Sequence, residues 1–152
     1  MDEQFKIIRR EFNKLGSRWV TTGSAAVTFH AQYMGVPFRK PRNFDFMIAK
    51  NNRDKFADVL NKKLGYEFIT VKSSRNNLRF EKKGYVPVNL LLTESSSALN
   101  HVSYNSTPIQ NIKTLLNQQN KNSSNIKILQ KIVNKKQSLY SVFYNLMNVN
   151  VD

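Results

Sequence analysis

The chain has 152 residues, 40% hydrophobic and 11% aromatic, which suits one folded domain with a real core and excludes general disorder. Lys and Arg number 24 against 10 Asp and Glu; the resulting +14 points to polyanionic partners, with nucleic acid first, a nucleotide or acidic protein second and an anionic membrane third. Cysteine is absent and His30 and His101 are the two histidines, which excludes disulfides and argues against a zinc site.

No apolar run approaches the ~20 residues of a membrane span. Met1-Asp2-Glu3-Gln4 lacks the basic start of a signal peptide, so an intracellular location is expected, in cytoplasm or nucleus.

In chain order, residues 2–15 predict a helix with Phe5, Ile8, Phe12 and Leu15 on one stripe and Asp2 and Glu3 in the first turn, stopping at Gly16. Trp19-Val20-Thr21-Thr22 is half β-branched and reads as a strand. It runs through Gly23-Ser24 into a helix ending near Tyr33. Gly23 permits a tight turn and close backbone approach at the helix start, a geometry that suits an anion or a plain turn. His30 shares a helical face with Ala26 and Tyr33 and reads as packed.

Residues 35–42 form a loop in which Arg39, Lys40 and Arg42 can meet phosphates or simply be solvated. Phe44-Asp45-Phe46-Met47-Ile48 reads as a strand carrying a carboxylate among apolar residues. A buried carboxylate is costly unless paired or bound to a cation. A helix over 53–64 is followed by three strands, at 66–71, 77–81 and 85–92, the last with Pro87 delaying its start.

From Ser95 to Val151 there is no acidic residue. A polar loop to Thr107 is expected first. Then come a helix started by Pro108 and reaching Asn117, and two more at 125–133 and 138–147. Lys113, Lys121, Lys127, Lys131, Lys135 and Lys136 mark these helices as a surface able to follow a phosphate backbone, or as solvated faces. A single domain is expected, with an α/β core over about 1–94 and a basic helical part over about 106–148.

The order helix, strand, Gly23-Ser24, helix, loop, strand with Asn43-Phe44-Asp45-Phe46, helix and further strands resembles the nucleotidyltransferase superfamily, the DNA polymerase β-like fold. Among its members the chain looks most like the minimal AbiEii-like type. The resemblance implies an α+β fold, a mixed sheet with flanking helices and a helical C-terminal part. It assigns triphosphate binding to the Gly-Ser turn. It also implies carboxylates holding two Mg²⁺ or Mn²⁺ ions that bridge nucleotide phosphates, with a third carboxylate helping to deprotonate the incoming hydroxyl.

At the family's carboxylate positions this chain has Asn43, Asp45 and Asn89. An Asn carbonyl brings a cation no charge, and Asn89 cannot serve as a general base. The expectation is a degenerate, inactive nucleotidyltransferase fold that binds nucleic acid or nucleotide phosphates, as a partner or regulator of another protein. Two readings stay open beside it: an active metal-dependent enzyme with Asp45 as ligand, and another fold in which Asp45 pairs with Arg42 or Arg79.

Overall fold

The computed structural model describes residues 2–118 and 123–149. Its frame is a mixed sheet of seven strands in the order β3-β4-β5-β2-β1-β7-β6. These are β1 (Trp19–Thr22), β2 (Phe44–Ala49), β3 (Glu67–Phe68), β4 (Asn77–Glu81), β5 (Val88–Thr93), β6 (His101–Tyr104) and β7 (Thr107–Gln110). The helices are α1 (Glu3–Asn13), α2 (Gly23–Tyr33), α3 (Arg53–Asp58, continued as a wider turn over Val59–Lys63), α4 (Ile112–Gln118) and α5 (Ser124–Val149).

Side-chain alternation along β2 divides the molecule. Phe44, Phe46 and Ile48 enter the main core with Phe5, Ile8 and Phe12 of α1, Phe56 and Leu60 of the α3 region, and Val88, Leu90 and Leu92 of β5. Phe12 lies at the centre of an aromatic group, its ring 4.9 to 5.5 Å from those of Phe56, Phe46 and Trp19. The intervening residues of β2 face the other side. There Met47 joins Val20 and Leu99 in a small cluster, and Asp45 is left among polar neighbours. A separate core of Ala26, Val27, Ile109, Leu115 and Leu129 fixes α4 and α5 against α2 and β7.

Capping and turn chemistry set several boundaries. The Asp2 carboxylate accepts from the Gln4 N–H at 2.9 Å and starts α1. Gly16 follows at φ 69°.

Four expectations are corrected. The loop predicted over 95–107 holds a helical turn, Ser96–Leu99, and strand β6. β6 and β7 form a hairpin whose two turn residues, Asn105 and Ser106, have φ of 51° and 62°. Positive φ at both turn positions matches the twist of a tight hairpin, but Asn-Ser is a weaker sequence signal for it than Asn-Gly. Pro108 does not start a helix. It lies in β7, which pairs in parallel with β1 at Thr21↔Ile109, and α4 begins at Ile112.

The strand expected over 66–71 shrinks to β3 followed by a helical turn at Thr70–Lys72. The two last predicted helices are one, because the polar stretch at 134–137 contains neither Gly nor Pro and its Lys and Gln residues favour helix. The distal part of α5 is apolar yet exposed, with Tyr140, Phe143, Leu146 and Met147 each more than half accessible. Among the described residues no helix is long and apolar enough to cross a membrane.

His30 is packed in a buried polar network. Its Nε2 lies 2.9 Å from the Gln110 carbonyl and its Nδ1 2.9 Å from the Tyr104 hydroxyl. A carbonyl can only accept, so Nε2 carries the proton and Nδ1 accepts from Tyr104. Burial pushes the imidazole below its ordinary pKa, despite the opposing hydrogen bond to Gln110 and helped by the positive charge of Lys136. A depressed folded-state pKa contributes stability above the unfolded value, about 6.5, and loses it as pH falls through the folded value. Urea midpoints at pH 7.5 and 5.5 are therefore expected to differ more for the wild type than for His30→Gln.

Candidate functional site

The polar side of the sheet gathers residues from three adjacent strands. β2 and β5 are parallel with Asp45 opposite Asn89, and β4 is antiparallel to β5 with Arg79 opposite Asn89. Arg79, Asn89 and Asp45 therefore form one row across the sheet. The Asn89 amide donates to Asp45 Oδ1 at 2.8 Å. Arg79 Nη1 donates to Asn43 Oδ1 at 3.1 Å and, more weakly, to Asn89 Oδ1 at 3.5 Å.

Gly23 closes this arrangement from above. It begins α2 at φ 61°, and a Cβ there would overlap the Asp45 carboxylate at Oδ2. Chain geometry thus presses the start of α2 onto the acidic side chain, a contact that glycine alone permits. Thr22, the residue before the helix, gives α2 no side-chain cap, because its hydroxyl is engaged 2.5 Å from Gln110 Oε1. The first N–H groups of α2 therefore have no capping acceptor from Thr22.

Ser24, Arg39, Pro41, Arg42, Asn43 and Asp45 line a cleft of about 120 Å³. The loop bearing the arginines is tied to α2 by Thr28, whose hydroxyl lies 2.9 Å from the Ser24 carbonyl and 3.4 Å from the Arg39 carbonyl. The N-terminus of α5 reaches the same place, with the Asn125 amide 3.2 Å from Ser24 Oγ. The structure thus brings together Gly23, Ser24, Arg39, Arg42, Asn43, Asp45 and Asn89. Lys40 turns away and lines a separate, largely apolar cavity with Phe5, Phe29 and Phe44.

Lys127, Lys131 and Lys135 are exposed at four-residue spacing along one side of α5, with Lys136 beside them. Lys135 Nζ lies 3.5 Å from the Gly35 carbonyl. Lys113 is exposed on α4, and Lys121 lies outside the described residues.

Burial pushes the Asp45 carboxyl above the usual carboxylate range; the Asn89 hydrogen bond and the charge of Arg79 pull it partly back. Asp45 makes no direct ion pair with Arg42 or Arg79 among the described residues. Two other acidic residues, Glu81 and Glu94, are each paired with a lysine. Glu81 pairs with Lys72 at 3.0 Å and lies 3.7 Å from Arg79 Nε. It stands on β4, two strands from β2, which is about 10 Å at ordinary strand spacing. Glu94 is largely exposed and 3.6 Å from Lys50.

Asn125 is the site residue that motif reading misses, and Arg79 enters the sequence reading only as an ion-pair partner for Asp45. The alternation Asn77-Leu78-Arg79-Phe80-Glu81 already places Arg79 on the polar face. Only the β4–β5 register puts it opposite Asn89.

A helix, a short strand, a glycine-started helix packed on the carboxylate of the next strand, and a third strand in parallel register define the nucleotidyltransferase fold. Solved structures that share it include an antibiotic adenylyltransferase and an antibiotic-resistance factor. The crystal structure of the lincosamide antibiotic adenylyltransferase LnuA, lincomycin-bound, aligns with a TM-score of 0.69 at 12% identity over 87% of this chain and 98% of that one. The solution structure of the antibiotic-resistance factor ANT(2'')-Ia aligns with a TM-score of 0.58 at 10% identity over 94% and 92%. At these identities the likeness is one of fold. No protein-family model matches the sequence, and no curated protein matches it.

The divalent ions of nucleotidyl transfer do not fit this donor set. Two such ions bring four positive charges, which carboxylates and phosphates normally balance. Among the described residues the cleft offers the single carboxylate of Asp45; Glu81, on the same face of β4, is paired with Lys72, and a guanidinium holds the oxygens of Asn43 and Asn89. Among the described residues no group of three or more His, Cys, Asp or Glu side chains could hold a metal.

Proposed function

We propose that this protein is a nucleotidyltransferase-fold binder of nucleic-acid or nucleotide phosphates that no longer transfers nucleotides and serves as a regulatory or partner subunit. The observation that carries this reading is the row Arg79–Asn89–Asp45, in which one carboxylate remains and an arginine faces the two amides. The uncapped start of α2 and the Arg39 and Arg42 side chains around Ser24 supply donors and charge for phosphate oxygens. The lysines along α5 extend the cationic surface from the helix end that touches Ser24.

Binding of a labelled single-stranded RNA or DNA, followed by anisotropy, tests the binding half. Affinity should fall linearly on a log–log salt plot, with a slope of about −0.7 per phosphate contact. Arg42→Ala is expected to weaken binding about tenfold for every sequence tried and to reduce that slope by about one contact. Affinity that is flat in salt overturns the reading.

One structural neighbour is an adenylyltransferase, so transfer of labelled AMP in Mn²⁺ is the activity to assay, with RNA, protein and lincomycin as acceptors. No transfer is expected. Transfer that disappears in Asp45→Ala would establish the other reading, an active metal-dependent nucleotidyltransferase.

A further inference from the structure

We propose that the Arg79 guanidinium stands in place of the divalent cation, so that the cleft takes a polyphosphate without any metal ion. The inference rests on the phosphate-binding reading above and goes beyond it by naming what neutralises the ligand. Arg79 is the outer member of the row on β4 and reaches over it as a tethered charge. One terminal nitrogen is fixed by the oxygens of Asn43 and Asn89, at 3.1 and 3.5 Å. Both are neutral amides, so they orient the guanidinium and leave its charge available. With carboxylates at those positions, the same nitrogen would be held in ion pairs and its charge cancelled.

The two asparagines and the arginine therefore make sense together. An amide in place of a carboxylate at 43 or 89 weakens a metal site, whereas the two amides together with the arginine position a different cation. A guanidinium remains charged at any physiological pH, presents five donors and matches phosphate oxygens in a fork. Glu81 lies on the Nε edge at 3.7 Å and is itself shared with Lys72 at 3.0 Å, which leaves the second terminal nitrogen without a carboxylate among the described residues.

Asn43 connects the two features, since it holds Arg79 and also lines the cleft with Ser24, Arg39, Arg42 and Asp45. Arg39, Arg42, Arg79 and Lys72 against Asp45 and Glu81 leave the site and its edge with two net positive charges (four minus two) from this chain alone. A nucleoside triphosphate, a polyphosphate or a nucleic-acid backbone would meet that charge directly. A metal-chelated phosphate, already neutralised, would meet it less well.

Calorimetric titration with inorganic tripolyphosphate, in EDTA and again in excess Mg²⁺, tests this without needing a variant. Wild-type protein is expected to bind in EDTA at least as tightly as in Mg²⁺. Arg79→Gln should bind at least about tenfold more weakly in EDTA, the loss of one charge-assisted contact. Arg79→Lys, which keeps the charge without the fork, should fall between. Thermal melts of both variants separate lost binding from lost folding.

Wild-type binding that requires Mg²⁺ overturns the proposal and leaves the phosphate-binding reading intact. So does undiminished binding by a folded Arg79→Gln protein. Absence of tripolyphosphate binding in both buffers overturns the proposal and the phosphate-binding reading together.

Discussion

Gly23→Ala is expected to cost roughly 2–5 kcal/mol of stability and to abolish phosphate binding. Two terms add. At φ 61° a side chain must occupy the left-handed region, which costs ~1–2 kcal/mol. The new methyl would also meet the Asp45 carboxylate, which is itself held by Asn89 at 2.8 Å, and overpacking of this kind costs about 1–3 kcal/mol. Gly84 is an internal control. Its φ is 83°, but no atom lies within 4 Å of a Cβ there, so Gly84→Ala should show the backbone cost alone. Repeating Gly23→Ala in an Asp45→Ala background should likewise remove the steric part. Urea denaturation of wild type, the two glycine variants, Asp45→Ala and the double variant decides it: an equal cost at Gly23 with and without the Asp45 carboxylate would mean that the two residues do not press on each other.

Asp45→Asn is expected to raise stability at neutral pH, by about 1 kcal/mol, or ~2–4 °C in melting temperature for a chain of this size. The cause is burial, which makes the carboxylate's charge unfavourable in the folded state. A carboxyl whose folded pKa lies above its unfolded value binds a proton more readily when folded. Its favourable contribution is thus complete below about pH 4 and is lost as pH rises through the folded value. The amide introduced by the substitution could still offer an oxygen to the Asn89 amide, so the hydrogen bond survives while the cost of the charge disappears. Wild type should therefore lose stability relative to the variant as pH climbs from 4 towards 7. A buried ion pair at Asp45 predicts the reverse, with the variant less stable at pH 7. Melting curves of both proteins across that range distinguish the two.

Local patterning carried a large share of the architecture. β1 falls at Trp19–Thr22, as its β-branched content suggests, β4 at Asn77–Glu81, as its apolar alternation requires, and α1 begins one residue after its Asp2 cap. The nearness of Gly23 and Asp45 was also legible. A strand, a glycine and a helix followed by a strand with one acid in it form a short-range unit whose parts cannot drift far apart. The C-terminal third was harder to read. The β6–β7 hairpin has few apolar residues, and β7 gains its place by pairing with β1, about ninety positions earlier in the chain. No window of neighbouring residues contains that partner, so Pro108 looked like the start of a helix.

The charge of the chain, its single acid on β2, the neutral amides at 43 and 89 and the glycine before the helix are properties of residue identity, and no folding is needed to know them. That Arg79 faces both amides is of another kind. It follows from the register of three strands, which is set by burial of Leu78, Phe80, Val88 and Leu90 on the opposite side of the sheet. Sliding β4 by one residue would turn Arg79 into that core and expose Phe80, at a cost no local preference could offset. Hydrophobic packing on one face thus placed the positive charge on the other.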